Sequence, residues 1–200
     1  MIVLQNNCNG TYATPIAALE AALERKVDLV CLQEPSVGSS QIVTHPGFQI
    51  RWPEGEKKKI RVALAIRKDI LNSYIFEDRT DLVNDIRIQC LDVWETEQRK
   101  KVRMTRLVNV YNQAGDVRGG YSLNHVQWTN IMTERVILAG DFNARSHQWD
   151  PWIRTPHNAA VTEGLIERYN LIVNNNDWAA TRMQGDSRSV IDLTLSLIHI

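Results

Sequence analysis

The strongest constraint in this sequence is an apolar run that ends in two polar residues, within Val136 to Arg145 (VILAGDFNAR). The β-branched and apolar residues that open this segment predict a buried strand. Asp141 and Asn143 follow, and residues two apart point to the same side of an extended chain. We therefore expect both side chains to project together from the strand end, because a packed core has no use for an unpaired carboxylate. A Gly-Asp-x-Asn turn is the alternative interpretation.

Length and composition predict one globular domain with a sizeable core. The 200 residues are 44% apolar and 23% charged, which argues against disorder. The 23 basic and 23 acidic side chains cancel, so any nucleic-acid site must come from local placement of charge. No apolar run is long enough to cross a membrane and no signal segment opens the chain. Three cysteines without CxxC spacing predict buried free thiols in a reducing, intracellular compartment.

The rest of the pattern alternates short strands with a few helices. Strands are predicted over residues 1–6, 28–33, 48–51, 61–67, 85–93, 106–111, 171–173 and 189–195, besides the run that begins at Val136. Thr14 and Pro15 predict a helix start, with Thr14 as the N-cap, and a second helix is expected over residues 158–169. The hydrophilic residues 95–101 predict a hairpin loop, and residues 114–135 are ambiguous.

Several predicted strands end in a polar residue that a core does not require. These residues are Asn7, Glu34, Tyr111, Asp141, Asn143 and Asp192. Each also has a structural interpretation: Asn7 as a turn former, Glu34 as a solvated strand end, and Asp192 as the partner of an arginine. Together they suit a divalent-metal phosphodiesterase, because Mg²⁺ prefers carboxylate and amide oxygens. A carboxylate can also activate a water for attack on phosphorus while amide and tyrosyl donors stabilise the developing charge.

At this point the motifs resemble those of the endonuclease/exonuclease/phosphatase superfamily. The motifs that carry the resemblance are QNN at 5–7, LQEP at 32–35, NVYN at 109–112, GDFN at 140–143 and SVIDLT at 189–194. They occur in family order, and the last two are most similar to the apurinic-type endonuclease domain of non-LTR (LINE-like) retrotransposon polyproteins. The resemblance implies an α/β fold, a four-layer sandwich of two mostly antiparallel sheets flanked by helices.

The resemblance also implies a role for each polar residue. Glu34 matches the metal-binding glutamate, with Asn7 beside it at the metal and phosphate; Mg²⁺ is the expected ion and Mn²⁺ a possible substitute. Asp141 matches the aspartate that orients or activates the attacking water. Asn143 matches the residue that holds the scissile phosphate, and Tyr111 the tyrosine that contacts it.

The C-terminal end departs from the family pattern. Asp192 matches an aspartate that orients a catalytic histidine, and in the family that histidine stands in a Ser-Asp-His motif after a further strand. The sequence has no Ser-Asp-His, and its one later histidine is His199. We therefore expect a domain over residues 1–194 that lacks its last strand. Residues 195–200 (LSLIHI) are one reading frame of CTGTCTCTTATACACATC, a transposase adapter, which makes them a candidate non-native scar.

The expected activity is that of a metal-dependent DNA endonuclease domain of a retrotransposon, which nicks double-stranded DNA and leaves a 3′-OH primer. The resemblance places a reverse transcriptase domain downstream and the protein in the nucleus, with no membrane partner. The alternatives are a catalytically dead, truncated remnant with weak DNA binding, and a repair-type abasic endonuclease or another phosphodiesterase of the same superfamily.

Two residues beyond the central strand are further candidates for DNA contacts. Arg145 leaves the predicted site on the same loop and would meet a phosphate. His147 is either a DNA contact or a surface loop residue, and Trp149 is expected to pack in the core. Surface positions without a role are expected for His45, His125 and His157.

Overall fold

The computed structural model of the chain describes residues 1–35, 43–54, 60–83, 85–113, 123–175 and 179–197. Within them, the first of two main sheets has four strands. These are β1 (Val3–Asn7), β2 (Leu29–Gln33), β3 (Phe48–Arg51) and β4 (Val62–Arg67), in the spatial order β1-β2-β4-β3. β1 and β2 are parallel, and the other two pairs are antiparallel. The predicted strands over 28–33, 48–51 and 61–67 are confirmed to within one residue.

Helix α1 (Ala13–Glu24) connects the parallel strands β1 and β2. The predicted helix is therefore confirmed, but Thr14 is not its N-cap. The helix begins at Ala13 with Tyr12 as the N-cap, two residues earlier than predicted, and the Tyr12 side chain makes no capping hydrogen bond. The hydroxyl of Thr11 instead accepts a hydrogen bond from the Thr14 backbone N–H at 3.3 Å, which satisfies one donor of the first turn.

The second sheet is larger and carries most of the predicted site. Its strands are β5 (Tyr74–Asp78), β6 (Ile88–Glu97), β7 (Lys100–Tyr111), β8 (Val136–Asp141) and β9 (Ile172–Val173), and it is completed by the last strand of the chain. Before that strand, β10 (Arg182–Gln184) and β11 (Ser187–Ser189) form a separate hairpin. The last strand is β12 (Asp192–Ser196), and the spatial order is β5-β6-β7-β8-β12-β9.

The predicted loop over residues 95–101 is wrong in extent. β6 and β7 continue through most of it, and only Gln98 and Arg99 form the turn, with φ of 49° and 65°. Two-residue hairpin turns with positive φ match the twist of the strands that they join. The ambiguous segment contains a short helix, α2 (Trp128–Ile131), and residues 114–122 lie outside the described part of the chain. Helix α3 (Ala160–Tyr169) confirms the prediction over 158–169 apart from its first two residues.

Three clusters of buried apolar side chains show four layers. One cluster joins α1 to the outer face of the first sheet, through residues such as Leu19, Ala22, Val30 and Ala65. A second fills the space between the sheets, with Leu29 and Leu64 opposite Leu107 and Ala139. The third joins α2 and α3 to the outer face of the second sheet. The four-layer sandwich of two mostly antiparallel sheets is therefore confirmed.

Gly140 lies inside β8 rather than ending it. β7 and β8 are parallel, and Gly140 pairs with Val110 across their ladder. A Cβ atom added to Gly140 would lie 1.9 Å from the Val110 carbonyl oxygen. Only a residue without a side chain fits here, so this glycine sets the close approach of the two strands next to Asp141.

Two individual predictions about side chains have opposite outcomes. Trp149 is buried as expected, at 3% exposure. His45 is not a surface residue, because it is only 6% exposed and its Nε2 atom lies 3.0 Å from Glu20 Oε1.

The three cysteines are free and buried, as predicted, and burial raises the pKa of each thiol. Among the described residues, no helix is long and apolar enough to cross a membrane.

The segment considered as a possible scar begins inside the sheet. Leu195 and Ser196 belong to β12, are fully buried, and pair with Leu138 and Ile137. Residues 198–200, including His199, lie outside the described part of the chain. The origin of the coding sequence for residues 195–200 stays a prediction.

Candidate active site

A cleft of about 650 Å³ lies where strand ends of the two sheets meet. It gathers all six of the predicted catalytic positions, which are Asn7, Glu34, Tyr111, Asp141, Asn143 and Asp192. The first two come from the ends of β1 and β2 in one sheet, and the others from β7, β8 and β12 in the other. The residues are up to 185 positions apart in sequence, and the packing of the two sheets brings them together.

Asp141 lies at the centre of this group and is almost fully buried, at 3% exposure. Its Oδ2 atom accepts a hydrogen bond from Asn7 Nδ2 at 2.7 Å, and its Oδ1 atom accepts one from the Asn143 backbone N–H at 2.8 Å. Asp192 is its register partner across the antiparallel β8–β12 ladder. Burial first, and then repulsion from Asp192, raise the pKa of Asp141 to about 7, against the two hydrogen bonds that lower it.

Asn143 reaches the cleft through a turn rather than an extended chain. β8 ends at Asp141, and Asn143 has φ of 45°, in the left-handed region that asparagine tolerates. Its Nδ2 atom donates to the Asn112 carbonyl at 2.6 Å, while Asn112 Nδ2 donates to the Phe142 carbonyl at 2.8 Å. The expectation of an extended pair was therefore wrong in geometry, although both side chains line the same cleft. Asn112 holds the turn in place from the end of β7.

Glu34 and Tyr111 form a second pair in the cleft. Glu34 follows β2 with φ of 45°, and its backbone N–H donates to the Arg61 carbonyl at 2.8 Å. The Tyr111 hydroxyl is hydrogen-bonded to the Glu34 carboxylate. Burial, this hydrogen bond and the nearby negative charge raise the pKa of Tyr111 well above its usual range, so its hydroxyl stays a proton donor.

Asp192 is held from two sides. Gln5 Nε2 donates to its Oδ1 atom at 2.8 Å, and its backbone N–H donates to the Thr181 hydroxyl at 3.1 Å. Burial raises the pKa of Asp192, against the hydrogen bonds from Gln5 and Thr181 that lower it. The charge of nearby Arg182 also lowers the pKa of Asp192, so an arginine does act on this carboxylate, but the hydrogen bonds of Asp192 come from an amide and a hydroxyl.

The donor set of the cleft fits a hard divalent cation. Among the described residues, no group of three or more His, Cys, Asp or Glu side chains is arranged to hold a metal ion alone. Mg²⁺ does not need such a cage, because it keeps several waters and binds through one or two carboxylates. Glu34 is half-buried in the cleft, and Asn7 and Asp141 lie in the same cleft. These oxygen donors suit Mg²⁺ or Mn²⁺ and do not suit a thiolate-seeking metal.

Arg145 and His147 lie outside the lining of the cleft. Arg145 is half-buried, and its backbone exchanges two hydrogen bonds with His157, at 2.8 and 2.9 Å. His147 is exposed, as are His125 and His157. DNA contacts from Arg145 and His147 stay predictions.

The sequence interpretation missed the β10–β11 hairpin, which forms one wall of the cleft. Thr181, Arg182, Met183 and Gln184 line the cleft, and Met183 is 67% exposed. The far side of the hairpin borders a second cleft of about 730 Å³, which also contains Trp152, Arg154 and Arg188. The sequence feature that could have indicated this hairpin is the Gly185-Asp186 pair, because such pairs favour tight turns. Gly185 lies at the hairpin turn with φ of 58°.

The fold and the cleft define an α/β sandwich with carboxylates and amides gathered where its two sheets meet. The chain belongs to the Endonuclease/Exonuclease/phosphatase family, whose model matches residues 7–196. This assignment confirms the resemblance noted in the sequence motifs. No curated protein matches the chain.

Solved structures with the same fold include enzymes of several kinds. The endonuclease domain of TRAS1, a telomere-specific non-LTR retrotransposon, superposes with a TM-score of 0.72 at 20% identity, covering 97% of this chain and 84% of that one. The catalytic domain of Xenopus laevis APE2 gives 0.66 at 17% identity, covering 98% and 82%. D. rerio TDP2, complexed with a single-strand DNA product, gives 0.57 at 14% identity, covering 97% and 82%.

Proposed function

We propose that this chain is the endonuclease domain of a non-LTR retrotransposon, which nicks double-stranded DNA by metal-dependent phosphodiester hydrolysis. The observation that carries the proposal is the setting of Asp141. This buried carboxylate is held by two N–H donors in a cleft that also holds Glu34, Asn143 and Tyr111. A carboxylate whose pKa lies near 7 is suited to accept a proton near neutral pH.

In the proposed reaction, Asp141 orients a water molecule and accepts one of its protons. The water oxygen bonds to phosphorus, and the bond from phosphorus to the 3′ oxygen breaks. The leaving 3′ oxygen takes a proton from solvent water to give the 3′-OH, and the phosphate stays on the other end of the cut as a 5′-phosphate. Asn143, through the Nδ2 hydrogen that is not bonded to Asn112, and Tyr111, once its hydroxyl turns from Glu34 to the phosphate, donate hydrogen bonds to the phosphate oxygens as negative charge develops on them. Glu34 and Asn7 would hold the divalent cation, which supplies charge stabilisation to the phosphoryl group.

The walls of the cleft support DNA as the substrate. Arg182 and Arg188 are exposed on the β10–β11 hairpin, and Arg154 lies in the adjoining cleft. Because the chain has no net charge, these local cations are the natural contacts for DNA phosphates on the hairpin side of the cleft. The primer role of the 3′-OH, the downstream reverse transcriptase and a nuclear location rest on the retrotransposon-like motifs and belong to this proposal.

An inactive remnant is the second candidate, and one observation favours it. Among the described residues, no histidine lines the cleft beside Asp192. Loss of one member of such a group lowers activity by orders of magnitude. A repair-type abasic endonuclease or another phosphodiesterase of the same superfamily is a third candidate, supported by the family membership of the chain.

A nicking assay separates these candidates. Supercoiled plasmid is incubated with the chain in Mg²⁺, in Mn²⁺ and in EDTA, and nicked product is tested for extension by a DNA polymerase. The proposal expects metal-dependent nicks that a polymerase extends, and expects Glu34→Gln and Asp141→Asn to abolish them. No nicking by the wild-type chain supports the remnant. Cleavage confined to an oligonucleotide with an abasic site supports the repair-type enzyme.

A further inference from the structure

Three amide side chains form a continuous hydrogen-bonded chain beneath the cleft and across the two sheets. Gln5 lies on β1 and Gln33 on β2, both in the first sheet, and Asn109 lies on β7 in the second. Gln33 and Asn109 are fully buried, at 0% exposure. Buried amides are costly unless their hydrogen bonds are satisfied, so three in a row call for a physical reason.

At one end of these hydrogen-bonded amides, Asn109 is bonded to backbone carbonyls. Asn109 Nδ2 donates to the carbonyls of Leu32, at 3.2 Å, and Ala63, at 2.9 Å. A backbone carbonyl can only accept, so the nitrogen of Asn109 must face these two oxygens. Its Oδ1 atom therefore points the other way, where it accepts a hydrogen bond from Gln33 Nε2 at 2.6 Å.

The orientation of the Asn109 amide determines the orientation of the next two amides, up to the hydrogen bond with Asp192. Because Gln33 presents its nitrogen to Asn109, its Oε1 atom faces Gln5 and accepts from Gln5 Nε2 at 2.7 Å. The same Gln5 nitrogen donates to Asp192 Oδ1 at 2.8 Å. A reversed Gln5 amide would place its oxygen against two acceptors. The carboxylate of Asp192 therefore always meets an N–H donor.

We propose that Gln5, Gln33 and Asn109 are positioning residues that fix the Asp192 carboxylate in the cleft through this directional chain of amides. The proposal rests on the function proposed above, because the position of Asp192 matters to hydrolysis through Asp141, which it faces across the β8–β12 ladder. The hydrogen-bonded arrangement can be tested without nuclease activity. A change at Gln5 should alter the environment of the Asn109 side chain, which lies two hydrogen bonds away. Asn109 on β7 and Asp192 on β12 both belong to the second sheet, and the amide chain connects them through Gln33 and Gln5 of the first sheet.

Gln5→Met is the direct test, because methionine keeps the length of the side chain and removes its hydrogen bonds. Asn174→Ala is the control. Asn174 also donates an amide hydrogen bond to β12, to Ser196 Oγ at 2.9 Å, but at the end of that strand away from Asp192 and outside the amide chain. Thermal denaturation of both variants identifies any general loss of stability that they share.

The first readout does not depend on nuclease activity. The NMR signals of the Asn109 side-chain NH₂ group are followed in wild type, Gln5→Met and Asn174→Ala. We expect Gln5→Met to shift these signals and to speed their exchange with solvent at least tenfold, and Asn174→Ala to leave both unchanged. Unchanged Asn109 signals in Gln5→Met overturn the amide chain, whatever the nuclease assay shows.

The second readout is single-turnover nicking of plasmid by the same variants. We expect Gln5→Met to lower the rate at saturating protein about 10- to 100-fold, with the half-saturating concentration changed less than twofold, because it displaces Asp192, which faces the proton-accepting Asp141, without removing a DNA contact. Asn174→Ala should stay within twofold of wild type. A Gln5→Met rate within twofold overturns the positioning role. Absence of nicking by wild type counts against the proposed nuclease, while the NMR readout still decides the amide chain.

Discussion

Asp141 and Asp192 face each other as register partners across the β8–β12 ladder, so two buried carboxylates share the centre of the cleft. Neither has a basic side chain as its hydrogen-bond partner; Asp141 is held by Asn7 and a backbone N–H, and Asp192 by Gln5. Like charges held this close in a buried site disfavour ionisation of both. Ionisation of both carboxylates in the cleft is therefore unfavourable until a cation neutralises their charge. This property suits a site that binds a divalent metal.

Replacing Asp141 by asparagine should stabilise the protein at alkaline pH while it abolishes nicking. Because the pKa of Asp141 is about 7 in the folded chain and near 4 when unfolded, the folded state binds more protons between these values. Wild-type stability should therefore fall as pH rises from 4 to 7. Asp141→Asn removes the unfavourable free energy of ionising this buried carboxyl group. It should raise the free energy of unfolding by about 2 kcal/mol at pH 8, or roughly 4–8 °C in Tm.

The control for this measurement is Glu167→Gln, which removes an exposed carboxylate on α3. It should leave Tm within about 1 °C across the same pH range, because surface charges contribute little. Thermal denaturation by circular dichroism at pH 5 and pH 8, without metal, gives the comparison. Equal Tm differences for Asp141→Asn at the two pH values would show that burial does not shift this carboxyl group.

Mg²⁺ should stabilise the chain more at pH 8 than at pH 5. A cation in the cleft binds the ionised carboxylates, and protons compete with it at low pH. A ligand present at 10 to 100 times its Kd stabilises the folded state by about 1.4–2.7 kcal/mol. We expect a Tm rise of several degrees in 10 mM Mg²⁺ at pH 8 and little change at pH 5, measured against equal ionic strength of NaCl.

Glu34→Gln tests whether this effect comes from the cleft. It should remove most of the Mg²⁺-dependent rise in Tm, because a neutral amide is a weaker ligand than a carboxylate. Glu24→Gln, on α1, provides an exposed control on another element. A rise that survives Glu34→Gln unchanged would place the cation elsewhere.

The gathering of the six cleft residues could be predicted from sequence because each stands at the end or start of an apolar strand. Asn7 ends β1 and Asp141 ends β8, and the polar side chain breaks the apolar pattern visibly. The local backbone could not be predicted in the same way. Glu34 and Asn143 both adopt left-handed conformations, which depend on contacts with Arg61 and Asn112 that no local pattern carries.

Long-range polar contacts also could not be predicted from the sequence, because no local pattern carries them. Gln5 and Asp192 are 187 residues apart, and His45 is buried because Glu20 lies across from it on α1. The β10–β11 hairpin was missed because its strands, RMQ and SRS, are polar and mostly exposed, so they show no alternation of apolar residues. A strand is visible in sequence only where one of its faces is buried.

Gly140→Ala should destabilise the fold strongly. The new methyl group would lie 1.9 Å from the backbone oxygen of Val110, and neither strand can move without disturbing the cleft. We expect a loss of about 3 kcal/mol or more, measured by urea denaturation. Gly164→Ala is the matched control, since Gly164 lies in α3 with no atom within 4 Å of an added Cβ. That variant should be neutral or gain up to about 1 kcal/mol.

The hairpin arginines should contribute to DNA affinity through phosphates rather than bases. Arg182 and Arg188 are exposed beside the cleft, and a cation on a phosphate releases counterions. The double variant Arg182→Ala and Arg188→Ala should weaken binding to duplex DNA of any sequence and reduce the slope of log K against log salt by about 1–2. Fluorescence anisotropy at several NaCl concentrations, in EDTA to prevent cleavage, measures both quantities.

Arg103→Ala is the matched control for the hairpin. Arg103 is also exposed, but it lies eight residues from Tyr111 along β7, about 27 Å from the cleft end of that strand, and is paired with Glu95. Its loss should leave the salt slope unchanged, because removing a distant paired charge does not alter counterion release at the DNA. If Arg103→Ala and the hairpin variant weaken binding equally, DNA does not approach the cleft across the hairpin. The β10–β11 strands then serve only to hold Thr181 against Asp192.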